Sequence, residues 1–333
     1  MPQPDDTFPF HRLAPDDILD AVESTGFRCD GHVSALNSYE NRVYQIGLED
    51  GSFVVAKFYR PGRWSDETIL EEHAFTLELA ATEIPVIAPL RDSRGETLLH
   101  AGPYRFAVYP RCGGRAPELD DPEHLMQIGR CLARIHNIGA IQPFLHRSEI
   151  SLEIFAIKPR RLLLDGGFIP DDLIDAYTSL TDLVIDSIDA CMQRAADYQR
   201  LRLHGDCHLG NVLWYDDAPF MVDFDDGRMG PAIQDLWMFL SGDRNYMTAR
   251  LHDLLEGYCG FRDFDPRELH LVEPLRTLRM MHYAAWLARR WNDPAFPRAF
   301  PWFNSQQYWE DHILTLKEQM AIMQEPPLHW HPL

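Results

Sequence analysis

Short apolar runs broken by turn residues fill the first hundred positions, and helix-length segments fill most of the rest. Residues 33–59 read as strands: Val43-Tyr-Gln-Ile-Gly-Leu and Ser52-Phe-Val-Val-Ala-Lys-Phe-Tyr flank the turn pair Asp50-Gly51, a hairpin signature. Ser65 then caps a predicted helix with Asp66 and Glu67 in its first turn, where the helix dipole favours carboxylates. Leu70, Ala74, Leu77 and Ala81 share one face of that helix. Pro85 and Pro89 end it and bracket an expected edge strand, and a β-like run follows Gly102-Pro103 at Tyr104–Tyr109. Two glycines between two prolines, in Pro110-Arg-Cys-Gly-Gly-Arg-Ala-Pro117, mark a hinge. Beyond it the spacing predicts helices over His124–Ile138, Asp172–Tyr198, Ile233–Leu240 and Pro274–Trp291, interrupted by a β-rich insert from Leu201 through Phe224. The expected fold class is α+β with two lobes: a small β-rich N-terminal lobe, residues 1–110, and a larger, mainly helical C-terminal lobe, residues 111–333.

Composition narrows the function. A hydrophobic content of 45% fits a globular protein. A formal net charge of −20 excludes a nucleic-acid or anionic-membrane partner as the expected one, because a phosphate backbone needs a basic footprint. The acidic surface suits basic partners instead. The six cysteines are scattered with no C-x-x-C pair and read as reduced, mostly buried thiols. Met1–Asp6 lacks a basic region and leads into no apolar run, so no secretory signal is expected. No stretch approaches the roughly 18 apolar residues of a membrane span. A cytoplasmic, monomeric protein is the expectation.

Chemistry-bearing residue types crowd into Leu203-His-Gly-Asp-Cys-His-Leu-Gly-Asn211 and Phe220-Met-Val-Asp-Phe-Asp-Asp226. A short loop between Asp206 and Asn211 can aim a carboxylate and an amide oxygen into one cleft, and the apolar strand before Asp223 brings a second carboxylate beside them. Such a set suits phosphoryl transfer: one carboxylate accepts a hydroxyl proton, and hard oxygen donors hold Mg²⁺ on the phosphates of ATP. As isolated residues these would be ordinary loop polars; the ordered set is harder to explain that way.

Lysine is rare, at positions 57, 158 and 317 only. Lys57 shares strand parity with Phe53 and Val55 on a largely apolar face, where an ammonium needs a partner. Glu71 and Glu72 of the predicted helix offer one and nucleotide phosphates another; a snorkelling, outward-facing lysine is the alternative.

The order of strand lysine, helix glutamate, HGD-x4-Asn and strand-borne aspartate resembles the aminoglycoside phosphotransferase and choline kinase branch of the protein-kinase-like superfamily. Leu36-Asn-Ser-Tyr-Glu-Asn-Arg-Val-Tyr, Lys57-Phe-Tyr-Arg-Pro, Gly230-Pro-Ala-Ile-Gln-Asp-Leu-Trp and Arg289-Arg-Trp-Asn-Asp-Pro-Ala-Phe-Pro narrow it to a likeness, over nearly the whole chain, to the bacterial stress response kinase A family. That resemblance implies a protein-kinase-like two-lobed fold. The implied activity is that of a cytoplasmic, magnesium-dependent serine/threonine protein kinase of envelope and oxidative stress, with ATP as co-substrate and protein hydroxyls, its own among them, as acceptors. It implies Asp206 as proton acceptor, Asn211 and Asp223 as magnesium ligands, and Lys57 as the phosphate-binding lysine. It also implies Ser38 in the loop that meets ATP and Glu72, in preference to Glu71, as the partner of Lys57. Departures from ordinary protein kinases are visible: Asn37-Ser-Tyr-Glu-Asn41 replaces a glycine-rich loop, and Asp225 follows Asp223-Phe224 where a glycine would be. Phe224–Gln234 is too short for a long activation loop, and Asp235 reads as a structural residue bonding the catalytic loop.

Rival readings are weaker. Phe220-Met-Val-Asp-Phe-Asp-Asp-Gly mimics the D-x-D signature of haloacid-dehalogenase-like phosphatases. That family needs a lysine and then further aspartates, and Lys317 is followed by none. A metal site of His204, Cys207 and His208 is too crowded for paired zinc-ligand spacing. No glycine precedes a lysine, which removes a P-loop. A pseudokinase is disfavoured by the intact Lys57, Asp206, Asn211 and Asp223 set. A small-molecule alcohol kinase of the aminoglycoside or choline kinase type needs the same base and metal and remains the alternative. The aromatic run from Trp286 to Trp309 could shape an acceptor surface or pack as core.

Overall fold

The structure, a computed structural model, describes residue 10 and residues 13–195 and 197–331. Met1–Asp6, read above for a targeting signal, lie outside the described residues. The hairpin residues pair as β2 (Arg42–Leu48) and β3 (Phe53–Phe58), joined at Asp50-Gly51, where Gly51 takes a positive φ of 81°. Added to them, all antiparallel, are β1 (Cys29–Leu36), β5 (Tyr104–Pro110) and β4 (Leu99–Ala101), giving a five-stranded sheet of order β1-β2-β3-β5-β4. A helix not foreseen from the pattern, α1 (Pro15–Glu23), covers one face: its Ile18 and Val22 pack with Ile46, Val54, Ala56 and Phe58. The period of two then turns Lys57 to the opposite face, toward α2 (Asp66–Ala81).

Ser65 caps α2 by accepting the Thr68 N–H. The Leu70, Ala74, Ala81 edge of α2 faces outward, with Leu70 45% exposed, whereas Ile69, Glu72, His73, Phe75 and Leu79 are buried. Shared face and buried face therefore differ: polar Glu72 points inward to Lys57, and His73 to the hydroxyls of Tyr59 and Thr97. The edge strand expected between Pro85 and Pro89 reduces to a single parallel bridge, Val86 to Met221, since the flanking prolines cannot donate to a ladder.

The larger lobe holds α3 (Pro122–Gly139), α4 (Lys158–Asp165), α5 (Ile174–Arg194), α6 (Arg244–Cys259), α7 (Val272–Arg289), α8 (Ala295–Ala299) and α9 (Gln306–Ile322). Helix α5 is shorter at both ends than the spacing predicts, with a 3₁₀ turn at Asp171–Leu173 before it. Ile233–Leu240 is not an α-helix. It forms two 3₁₀ turns, Ala232–Asp235 and Trp237–Phe239, because its buried polar groups bond outward: the Ile233 N–H goes to Glu268 and the Asp235 carboxylate to another loop. The β-rich insert contains β6 (Leu201–Leu203), β7 (Val212–Tyr215) and β8 (Ala218–Met221); β7 pairs with β8, and β6 with β9 (Arg228–Gly230) further on. Much of the aromatic run packs inward, with Phe296, Phe303 and Trp309 buried in the main core. Three of the six cysteines, Cys131, Cys191 and Cys207, are buried and three are half-buried. Among the described residues no helix is long and apolar enough to cross a membrane.

Helices α3 and α6 cross at glycines. A Cβ on Gly129 would meet the Leu254 carbonyl oxygen at 2.0 Å, and one on Gly257 the Met126 oxygen at 1.9 Å. Helix propensity alone would make Gly129→Ala gain about 1 kcal/mol; contact this tight turns the sign to a loss of about 1–3 kcal/mol. Urea unfolding measures it, and an unchanged or raised midpoint would contradict the packing.

Candidate active site

Strand β6 ends at Leu203, and the turn after it is built on Gly205, whose φ is 85°. A Cβ there would sit 2.2 Å from the Asp226 carbonyl oxygen, so the two catalytic-type segments approach as closely as backbones can. Asp235 fixes the turn from below. Its buried carboxylate accepts the His204 and Gly205 N–H groups, both at 2.8 Å, and a bond from His136 Nε2 at 3.1 Å. Burial alone would raise the proton affinity of Asp235; the His136 bond and the two backbone donors hold it below the usual carboxylate range. His204 donates from Nε2 to the Val222 carbonyl at 2.8 Å, tying the turn to the strand that delivers Asp223.

On this platform stand Asp206 and Asn211. The Asn211 Nδ2 donates to the Asp206 carbonyl at 3.0 Å, which settles the amide orientation and leaves its oxygen to accept from elsewhere. The Asp206 carboxylate carries Arg279 of α7 on Oδ1 and His208 Nε2 3.6 Å from Oδ2. His208 spends its Nδ1 on the Gly210 N–H. His204, Cys207 and His208 thus serve the turn, Cys207 as a fully buried thiol. Among the described residues no three His, Cys, Asp or Glu side chains are grouped to hold a metal.

Asp223 has left-handed backbone, φ 63° and ψ 66°, a strained geometry for a residue with a side chain. It turns a half-exposed carboxylate into the cleft, 2.8 Å from Lys57 Nζ. Lys57 is 6% exposed and also lies 3.4 Å from Asp225 and 3.6 Å from Glu72. Burial pulls its proton affinity down, but the three carboxylates outweigh that and keep it firmly charged. Glu72 is therefore the glutamate that faces Lys57. Glu71 instead accepts three backbone N–H groups, of Leu145, His146 and Arg147.

Two arginines complete the arrangement, and neither was singled out in the sequence. Arg147 donates to the carbonyls of Asp225 (3.0 Å), Gly227 (2.8 Å) and Thr68 (2.9 Å) and pairs with Glu72 at 3.3 Å, bolting α2 to the Asp223–Gly227 segment. Arg63 joins Asp225 and, through both carboxylate oxygens, Asp226. Asp225, where a glycine was expected from kinase-like patterns, is thus a ligand for Lys57, Arg63 and Asn41 rather than a flexible link. The 224–234 segment is short and ends in the β6–β9 ladder and the Asp235 turn.

The 37–41 loop between β1 and β2 closes the site from above. Ser38 Oγ accepts the Asn41 N–H at 3.3 Å and lines the cleft. Glu40 reaches across to Arg290 (2.5 Å) and the Trp286 indole N–H (2.7 Å), and Tyr39 packs on Phe300. The open cleft, about 970 Å³, is lined by Ser38, Asp206, Asn211, Asp223 and residues of α7.

Residues 32–272 match the phosphotransferase enzyme family. Over 326 residues the chain is 47% identical to stress response kinase A of Escherichia coli K12, covering 98% of each. It is 45% identical over 329 residues to the serine/threonine protein kinase RdoA of Salmonella typhimurium LT2, covering 99% of each. Among solved structures, the amicoumacin kinase hAmiN complex with AMP-PNP, Ca²⁺ and Ami shares the fold at TM-score 0.70 and 20% identity, over 92% of this chain and 93% of that one.

The Arg147 bolt has a measurable consequence. Arg147→Met strips Glu72 of one cation and the Asp225 and Gly227 carbonyls of their guanidinium donor, a loss of about 3–5 kcal/mol in urea unfolding. In the double variant with Glu72→Gln the losses should fall short of additivity by about 1 kcal/mol or more. Strict additivity would show that the two side chains are not coupled.

Proposed function

Because the chain belongs to the phosphotransferase enzyme family, and within it to the stress response kinase A family, we propose that it transfers the γ-phosphoryl group of ATP to serine and threonine hydroxyls of proteins in a bacterial stress response. The observation that supports this most is the convergence of three separate segments at one cleft: the turn that carries Asp206 and Asn211, the segment that carries Asp223, and the strand whose Lys57 pairs with Asp223. We divide the labour between the lobes at 110/111, with ATP held by residues 1–110 and the acceptor by residues 111–333. Cytoplasmic location, a monomeric state and phosphorylation of the chain itself belong to the same reading.

Each residue has a role that its surroundings suit. Asp206, the proposed base, is held from below by the Asp235-bonded turn and takes the proton as the acceptor oxygen bonds to the γ-phosphorus and the bond to ADP breaks. Lys57, kept charged by its carboxylates, is the cation for phosphate oxygens, and Glu72 keeps it in place when it leaves Asp223. Ser38 lines the roof over the phosphates. Asn211 and Asp223 would hold Mg²⁺: the amide oxygen is left over after Nδ2 bonds Asp206, and Asp223 presents a half-exposed carboxylate. Two hard oxygens are the small number of protein ligands that this ion takes, and the bound ion neutralises charge on the transferring phosphates. A cleft of about 970 Å³ lies at the upper end of the range for small-molecule pockets, with room for a peptide beside the nucleotide.

With labelled ATP, Mg²⁺ and a generic protein acceptor, Asp206→Asn should lower turnover about 10²–10⁴-fold while a fluorescent ATP analogue still binds. Asn211→Ala and Asp223→Ala should raise the Mg²⁺ requirement or abolish activity. Near-normal turnover in the first, or unchanged magnesium titrations in both others, would contradict these roles. Efficient turnover of a small alcohol without any labelled protein would favour the small-molecule kinase reading instead.

A further inference from the structure

The outer charge of the chain and the charge of the acceptor wall have opposite signs. The chain as a whole is acidic, at −20. Helix α7, which forms the wall beyond Asp206, lines the cleft with Arg279, Arg289 and its C-cap residue Arg290, and with no carboxylate at all. Arg279, Tyr283, Trp286 and Arg290 follow at helical spacing along one stripe, and Arg289 lies one turn beyond Trp286 on its flank. The carboxylates that do line the cleft come from other segments, and each already has a cation. Glu40 holds Arg60, Arg63 and Arg290; Asp206 holds Arg279; Asp223 holds Lys57; Asp225 holds Arg63; Asp226 holds Arg63 and Arg228. Arg289 lines the cleft, is exposed, and has no hydrogen bond or ion pair with any of the described residues.

Arg279 adds a second constraint. It occupies Oδ1 of Asp206, one of the two oxygens on which an acceptor hydroxyl must place its proton. A guanidinium drawn off a carboxylate needs another anion close by, since exchanging one charge-assisted bond for another costs far less than losing it. In the reaction proposed above the phosphates pair with Lys57, which already stands beside Asp223. The anion that meets Arg279 and Arg289 must then come with the acceptor.

We infer that the acceptor hydroxyl is presented in an acidic context: a serine or threonine with neighbouring aspartate or glutamate side chains that pair with Arg279 and Arg289 while the hydroxyl takes their place on Asp206. This rests on the protein-kinase reading above and sets its substrate class. It runs against the expectation from net charge, which points to basic partners, because a long-range field is screened within about 10 Å at moderate salt while pairing inside a cleft is not. It also separates this site from one built for a polycationic alcohol, which would need free carboxylates on the same wall.

The test uses the full chain with ATP and Mg²⁺ and two synthetic peptides of equal length, each with one serine, flanked by Asp and Glu in one and by Lys and Arg in the other. The acidic peptide should have the higher kcat/KM by about tenfold or more, as expected for one charge-assisted pair. Arg289→Glu should shrink that ratio about tenfold or reverse it, with a gain on the basic peptide that misfolding cannot produce; Arg289→Gln should lie between. Equal use of both peptides, or a preference for the basic one, would overturn the acidic-context proposal and leave the protein-kinase reading standing. Turnover of small alcohols with neither peptide labelled would overturn that reading and this proposal with it.

Discussion

A single buried ammonium organises this molecule. Lys57 sits on a central strand, 6% exposed, where burial without partners would be prohibitive. Three carboxylates from two different lobes resolve that cost: Glu72 from α2, and Asp223 and Asp225 from the segment after β8. Its own lobe supplies one carboxylate, Glu72 at 3.6 Å, and the two closer ones come from across the cleft. Pairing across the cleft fixes where α2 must lie against the sheet and how far the Asp223 segment may stand from it. The ring of Tyr59, 5.2 Å below the ammonium, closes the remaining side.

Most other unusual features follow from holding those carboxylates still. Three acids around one lysine would leave excess negative charge, and Arg63 and Arg147 supply the balance. Arg147 also ties Glu72 of the helix to the carbonyls of Asp225 and Gly227 in the loop. The left-handed backbone at Asp223 is tolerated because Asp225 and Asp226, two and three residues on, are anchored by these cations. On the far side, Glu40 links the 37–41 loop to Arg290 and Trp286 of the larger lobe. A loop without glycines can close over the site in this way because side chains, rather than free backbone N–H groups, do the gripping.

How much of this was legible beforehand depended on whether the signal was local. The hairpin around Asp50-Gly51 and the Ser65 cap rest on neighbours in sequence, and both are found where local chemistry put them. Helix α1 had comparable local signals, with Pro15 at its first turn and Asp16 and Asp17 behind it, and could have been found. The 233–240 segment could not: its apolar spacing suits a helix, but the Ile233 N–H and the Asp235 carboxylate are committed to partners about 30 residues away. Likewise Leu70 and Ala74 looked like a core face until the buried side of α2 proved to carry Glu72 and His73. The Asp206, Asn211 and Asp223 cluster was readable from spacing, whereas Arg63, Arg147 and Arg279 were not, since nothing marks one arginine among many until the chain is folded.

The central claim is that Lys57 is poised between a permanent partner, Glu72, and an exchangeable one, Asp223. A crystal structure with Mg²⁺ and a non-hydrolysable ATP analogue tests it most directly. The expected result is Lys57 on the phosphate oxygens with its Glu72 pair intact, and the ion on Asp223 and Asn211. Lys57 still bonded to Asp223 with the nucleotide bound, or the ion held by other residues, would contradict it.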